Sequence, residues 1–130
     1  MSAEVAHLDL DDLLRLIREM GVGPVRDIGL LAGCAQRPQT SAFGRDAYPD
    51  LPTKAAALLH SIARTHPLVD GNKRLAWLAT VVLLDINGWT TDLDDEGAFA
   101  VVMDVAQHDM EAADIAVRLK ARPIGEAPDQ

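Results

Sequence analysis

Gly71-Asn72-Lys73-Arg74-Leu75-Ala76-Trp77-Leu78-Ala79-Thr80-Val81-Val82-Leu83-Leu84 is the stretch that decides the fold. From Leu75 onward only Thr80 interrupts its apolar residues. A helix built from this run is apolar on nearly every side, which marks it as the buried central element. The run is about half the ~20 residues that a membrane span needs, so it belongs in a core and no membrane association is expected. Asn87-Gly88 follows as a fitting left-handed terminator. Other helices must pack around this one.

The sequence supplies them on both sides. Leu10, Leu13, Leu14, Ile17 and Met20 recur at helical spacing, with Asp9 placed to cap the start and Gly21 to end the last turn. Asp27 predicts the cap of a short helix over 28–35, weakened by Gly29 and Gly33 and over before Pro38. Residues 37–52 hold Pro38, Gly44, Pro49 and Pro52 among polar neighbours and read as a surface loop with room for a short hairpin. Ala55, Leu58, Leu59 and Ile62 mark a helix over about 53–65, which stops before Pro67. Asp94, Asp95 and Glu96 put negative charge at the start of a helix running to about 106, and Asp109 is placed to cap a last one carrying Ala112, Ile115, Ala116 and Leu119. Residues 122–130 read as a frayed tail. The expected fold is therefore all-α: one domain over 1–130, with its core at about 8–120, built as a helical bundle around the motif helix.

Composition narrows the function. At 130 residues there is room for one modest core. With aromatic residues at 4%, packing falls to Leu, Val, Ile and Ala. A net charge of −8 and a pI near 4.7 leave no general basic face for phosphate contacts, so direct nucleic-acid binding is not expected. Cys34 is the single cysteine, which excludes an internal disulfide and a paired-cysteine metal or redox site. The first residues lack a basic region followed by an apolar stretch, and the cytoplasm is the expected compartment.

Chemistry gathers in the turn between the two central helices, His66-Pro67-Leu68-Val69-Asp70-Gly71-Asn72-Lys73-Arg74. The first amides of a helix lack intrahelical partners and carry the positive end of its dipole, so this turn can hold an anion such as phosphate. Gly71 lets a ligand approach the backbone. Asn72 offers an amide donor, Lys73 a compact ammonium and Arg74 a planar fork for bidentate phosphate contacts. Asp70 is the one carboxylate in the segment, and Mg²⁺ at a phosphate site uses one or two carboxylates plus the substrate's own oxygens. His66 can serve as a general base near neutral pH, taking a proton from a hydroxyl that attacks the bound phosphate. Singly, each residue has a plainer role: Asp70 as an N-cap, Lys73 and Arg74 as solvated charges, His66 as a partner for the carbonyls ending the preceding helix. Their convergence within nine residues, in an otherwise acidic chain, favours a catalytic or phosphate-binding site.

This run resembles the signature of the Fic/Doc superfamily, His-x-Phe-x-Asp/Glu-Gly/Ala-Asn-Gly/Lys-Arg. The likeness extends to Val25-Arg26-Asp27 with Gly29-Leu30-Leu31, Ala35-Gln36-Arg37-Pro38, Tyr48-Pro49 with Lys54-Ala55-Ala56, and Asn87-Gly88-Trp89, which look like Doc, or death-on-curing, toxins. The resemblance implies that His66 is the general base, that Asp70 holds Mg²⁺, that Gly71 and Asn72 line the anion pocket, and that Lys73 and Arg74 grip the nucleotide phosphates. It also implies a flap that aligns the target peptide, a place taken here by residues 43–50. Two positions depart from the pattern: Leu68 stands where a Phe anchors the loop, and Trp77 stands where adenylylating Fic enzymes carry a second Arg. The resemblance to Doc toxins implies a protein kinase that transfers the terminal phosphate of ATP to a threonine of elongation factor Tu and so arrests translation. The resemblance further implies a cognate antitoxin whose C-terminal segment folds on the toxin, consistent with the lack of an internal Ser/Thr-x-x-x-Glu-Gly/Asn inhibitory string. The rival readings are a Fic-type protein adenylyltransferase, a catalytically silent antitoxin-binding module and a purely structural helical module. A nuclease would gather several carboxylates around its metals, and this segment has one.

Overall fold

Residues 72–86 form the expected motif helix, and the computed structural model describes residues 4–125 of the chain around it. Six helices follow in order: α1 (Leu10–Met20), α2 (Ile28–Gln36), α3 (Leu51–Thr65), α4 (Asn72–Ile86), α5 (Asp95–Gln107) and α6 (Ala112–Leu119). A 3₁₀ turn (Arg37–Gln39) and a hairpin of β1 (Ser41–Ala42) with β2 (Arg45–Asp46) link α2 to α3. A second antiparallel pair joins β3 (Trp89–Thr91) to β4 (Ala121–Pro123), with Trp89 opposite Pro123. No described helix is long and apolar enough to cross a membrane.

Aspartates start four of the helices. Asp9, Asp27, Asp50 and Asp94 each accept a hydrogen bond from the backbone amide three residues on, at 2.7–3.0 Å. Such a cap is worth about 1 kcal/mol against Ala. The cap at Asp50 moves the start of α3 ahead of the expected residue 53. Pro52 lies in its first turn, where the missing N–H would have had no partner anyway. The last helix lacks the expected cap: its N-cap position is Glu111, with no side-chain bond, and Asp109 lies outside it.

Centrality is shared between α3 and α4. All four alanines of α3 are fully buried, as are Leu59 and Ile62, and their small side chains allow α4 and α6 to pack closely on either side. On α4, Leu75, Ala76, Ala79, Thr80, Leu83 and Leu84 are buried, whereas Trp77, Leu78, Val81 and Val82 are half-buried. The motif helix is therefore open along one side. The one polar residue in its apolar run, Thr80, satisfies its hydroxyl on the Ala76 carbonyl at 2.7 Å. Each fully buried Leu contributes about 1.5–3 kcal/mol relative to exposure.

The expected frayed tail is corrected for residues 122–125. Arg122 and Pro123 belong to β4, and the Ile124 amide donates to the Gly88 carbonyl at 2.8 Å. Residues 126–130 lie outside the described residues. At the same end of α4, Asn87 exchanges two hydrogen bonds with the Ala6 backbone at 2.8 and 2.9 Å. Gly88 takes the left-handed conformation expected of a terminator, with φ +77°.

Candidate active site

The turn from α3 to α4 is held open in an unusual backbone conformation. His66 follows the last turn of α3 with φ +54° and ψ +61°, the left-handed region that a non-glycine residue enters at a cost of about 1–2 kcal/mol. Arg26 holds it there: Nε donates to the His66 carbonyl at 2.8 Å and Nη2 to the Thr65 carbonyl at 3.0 Å. A guanidinium on the final carbonyls of a helix is also favoured by the negative end of its dipole.

The main chain around Arg26 runs beside this turn like an extra strand. The amides of Arg26 and Asp27 both donate to the Pro67 carbonyl, the Val69 amide donates to Pro24, and the Gly23 amide donates to Asp70. Val25 and Leu68 form an antiparallel bridge. From the other side Asn72 clamps the turn: its Oδ1 accepts from the Leu68 amide and its Nδ2 donates to the Leu68 carbonyl, both at 2.9 Å. The side chain of Asn72 therefore shapes the loop, with its oxygen and one amide hydrogen taken up there. Leu68 is 1% exposed, so the smaller residue in the usual Phe position still anchors the loop in the core.

Gly71 is the N-cap position of α4, with φ +95°. A Cβ there would lie 2.5 Å from Cβ of Val22, so the glycine is required by backbone conformation and by the approach of Val22 as well as by any ligand. Asp70 does not cap the helix. Its carboxylate stands 3.9 Å from the Arg74 guanidinium, an exposed pair worth little in water. Among the described helices of ten or more residues, α4 is the one without a side-chain cap, and its first turn carries Lys73 and Arg74 with no acid. Two cations at the positive end of a helix dipole are unfavourable by about 0.3–1 kcal/mol each, a local rule broken where an anion would restore balance.

The sequence-predicted residues converge. His66, Asp70, Gly71, Asn72, Lys73 and Arg74, with the exposed Val69, line one cavity of about 310 Å³. Asp70 suits a magnesium ion that is held mostly by substrate oxygens, because its side chain is 84% exposed and only weakly paired; no cluster of three or more His, Cys, Asp or Glu residues capable of holding a metal occurs among the described residues. The hairpin of β1 and β2, which overlaps the expected flap at 43–50, is fastened elsewhere. Lys54, buried on α3, donates to Asp46 at 3.1 Å and to the Tyr48 carbonyl. Lys54 lies twelve residues before His66, about 18 Å along a helix. Phe43 is fully exposed at the hairpin tip, with φ +55°.

The sequence profile of the Fic/DOC family matches residues 7–84, more than half of the chain. The chain belongs to the Fic/Doc family. It is also similar to a protein described as Toxin Doc from Mycolicibacterium smegmatis, with 46% identity over 117 residues that cover 87% of this chain and 90% of that protein. On the Fic/Doc signature, the structure adds what the motif does not contain. Arg26 and the backbone of Gly23–Pro24 support the motif from outside it, through bonds to main-chain carbonyls and amides that leave no trace in residue spacing. Val25-Arg26-Asp27 was visible as a likeness to the Doc branch, without a role. Trp77, the departure from the adenylylating pattern, lines a second cavity that meets the first at Lys73 and Arg74.

Proposed function

We propose that this Fic/Doc protein is the toxin of a toxin–antitoxin pair and acts in the cytoplasm as a protein kinase, moving the γ-phosphate of ATP to a threonine of elongation factor Tu and so arresting translation. The observation that carries the reading is the uncapped start of α4, with two cations in its first turn and His66 held in a left-handed conformation beside it. It supports the reading because His66 and the start of α4 line one cavity, and a helix start can bind an anion while an imidazole can accept a proton. The similarity to Toxin Doc supports the toxin role and a cognate antitoxin whose C-terminal segment folds on this chain.

In the reaction, an imidazole nitrogen of His66 takes the proton of the target hydroxyl as its oxygen forms a bond to the γ-phosphorus. The bond from that phosphorus to the β,γ-bridging oxygen breaks, and ADP leaves with the electron pair. The amides at the start of α4, with Lys73 and Arg74, hold the phosphate chain in line with the attacking oxygen; phosphoryl transfer depends mainly on such positioning and charge stabilisation. Asp70 together with phosphate oxygens would hold Mg²⁺, which neutralises phosphate charge when bound. Asn72 and Arg26 keep His66 and the helix start in register. The test is incubation of the purified chain with Mg²⁺, a translation extract and ATP labelled on either the γ- or the α-phosphate. The γ label is expected on elongation factor Tu. Transfer of the α label instead would establish adenylylation, and transfer of neither would reject the enzyme reading.

A further inference from the structure

The hairpin of β1 and β2 stands on the fold without a core of its own. Every residue from 41 to 47 is exposed, and each strand is two residues long. A lone two-stranded hairpin is marginal in water, so what orders this one is its fastening to the rest of the chain. Two cations supply that fastening, and both reach Tyr48, just past β2. Lys54 donates to the Tyr48 carbonyl and, at 3.1 Å, to the Asp46 carboxylate. Arg37, from the 3₁₀ turn, donates from Nε to the Tyr48 hydroxyl at 2.7 Å, with its guanidinium carbon 5.5 Å from the ring centroid.

The Arg37 tie ends on a titratable group. Nη1 of Arg37 stands 3.1 Å from Nδ1 of His60 on α3. A guanidinium can only donate, so Nδ1 accepts, and the imidazole is neutral with its proton on Nε2. Protonation turns Nδ1 into a donor, leaves both facing hydrogens without an acceptor, and sets two cations side by side. Around His60 stand Arg37 from the 3₁₀ turn, Arg64 from its own helix, Asp109 from the connection between α5 and α6, and Glu111 from the start of α6. Burial, then the two guanidiniums, hold its pKa below the ordinary 6.5 against the smaller pull of the two acids. The bond is therefore intact near neutral pH.

We propose that Arg37, Tyr48 and His60 form an acid-released latch, which fastens the hairpin to α3 while the His60 ring is neutral and frees it when the ring takes a proton. The latch stands apart from the kinase reading, and hairpin order rather than activity tests it.

The Ala47 amide donates to the Thr40 carbonyl at 2.8 Å and closes the hairpin, so its hydrogen exchange in the full chain reports hairpin order. Exchange, corrected for the intrinsic effect of pH, is followed by NMR above and below the titration of the His60 ring, which the ring's own resonances mark. Loss of one hydrogen bond of this kind shifts a local equilibrium about three- to tenfold. Protection of the Ala47 amide should fall by that factor as His60 takes its proton, while amides within α4 keep theirs. His60→Asn puts a non-titrating amide oxygen near the place of Nδ1 and should keep protection high throughout. Tyr48→Phe removes the hydroxyl that Arg37 holds and should give the low value at both ends of the titration. Unchanged protection in Tyr48→Phe, or an acid loss that persists in His60→Asn, would overturn the latch. Equal losses in the hairpin and in α4 would mean that the whole domain opens, which overturns it as well. The rival trigger is His7, which lines the cavity beside Lys54 with its Nδ1 buried and without a partner among the described residues. An acid loss abolished by His7→Gln and kept in His60→Asn would put the switch at the Lys54 tie and refute the proposal.

Discussion

Replacing Arg26 by Met tests whether the motif turn is held by a residue outside the motif. The substitution keeps a long flexible side chain and removes the donors to the Thr65 and His66 carbonyls. Charge-assisted hydrogen bonds contribute about 1.5–3 kcal/mol each when well shielded. Arg26 is an exposed residue, so the pair together is worth about 1–3 kcal/mol. Melting should fall by roughly 4 °C for each kcal/mol in a domain of this size. The amide of Arg26 still reaches Pro67, so the strand-like support survives. What is lost is the restraint on His66, whose left-handed backbone costs about 1–2 kcal/mol and now competes with relaxed conformers. At 1.36 kcal/mol for each tenfold in rate, kcat should drop roughly ten- to hundredfold, with KM for ATP nearly unchanged because Lys73 and Arg74 are untouched. Arg26→Lys, able to serve one carbonyl at a time, should fall between. Steady-state γ-phosphate transfer and thermal unfolding on the same preparations supply both readouts. A variant that melts and turns over like the wild type, or one that loses ATP affinity by the same factor as kcat, would refute the positioning role.

His66→Ala should lower transfer ~10²–10⁴-fold with its melting temperature preserved; normal transfer by a folded variant would leave His66 a structural residue. Gly71→Ala adds a Cβ 2.5 Å from Cβ of Val22 at φ +95°, and should destabilise by about 2–4 kcal/mol in denaturant titration. Val22→Ala should not rescue it, since the contacting Cβ remains. His60 is held below its ordinary pKa of 6.5 by burial and then by the guanidinium of Arg37, 3.1 Å from Nδ1, and by Arg64. The unfolded chain therefore binds the proton more readily, so the contribution is fully present above pH 6.5 and is lost as pH falls through the folded value. His60→Gln should flatten that part of the stability profile; an unchanged slope in the variant would show that the shift has no energetic weight.

Much of the fold is readable because the deciding interactions are local. Asp9, Asp27 and Asp94 cap helices through bonds three residues long, and the chain carries that signal beside each apolar stripe. Trouble begins where several acids stand near one helix start. Asp109 has the right side chain but lies outside the helix, and Asp70 is one residue too early, leaving the N-cap position to Gly71. Pro52 looks like a breaker yet sits in the first turn of α3. Pairing of β3 with β4 joins segments separated by two helices, and such pairing has no local pattern. The same division holds at the site. The six motif residues fall within nine consecutive positions and are legible together, whereas Arg26 acts on carbonyls about forty positions away, a kind of acceptor that every residue presents.

The ties of Ala6 to Asn87 and of Ile124 to Gly88 have a practical meaning for handling the molecule. Ala6 and Ile124, near the two ends of the described chain, lie beside the last turn of α4, while the motif turn lies at its first, about 22 Å away along fifteen residues. A fluorescent reporter or a surface linkage carried close to Ala6 or Ile124 therefore sits at the opposite pole of α4 and leaves the motif turn uncovered.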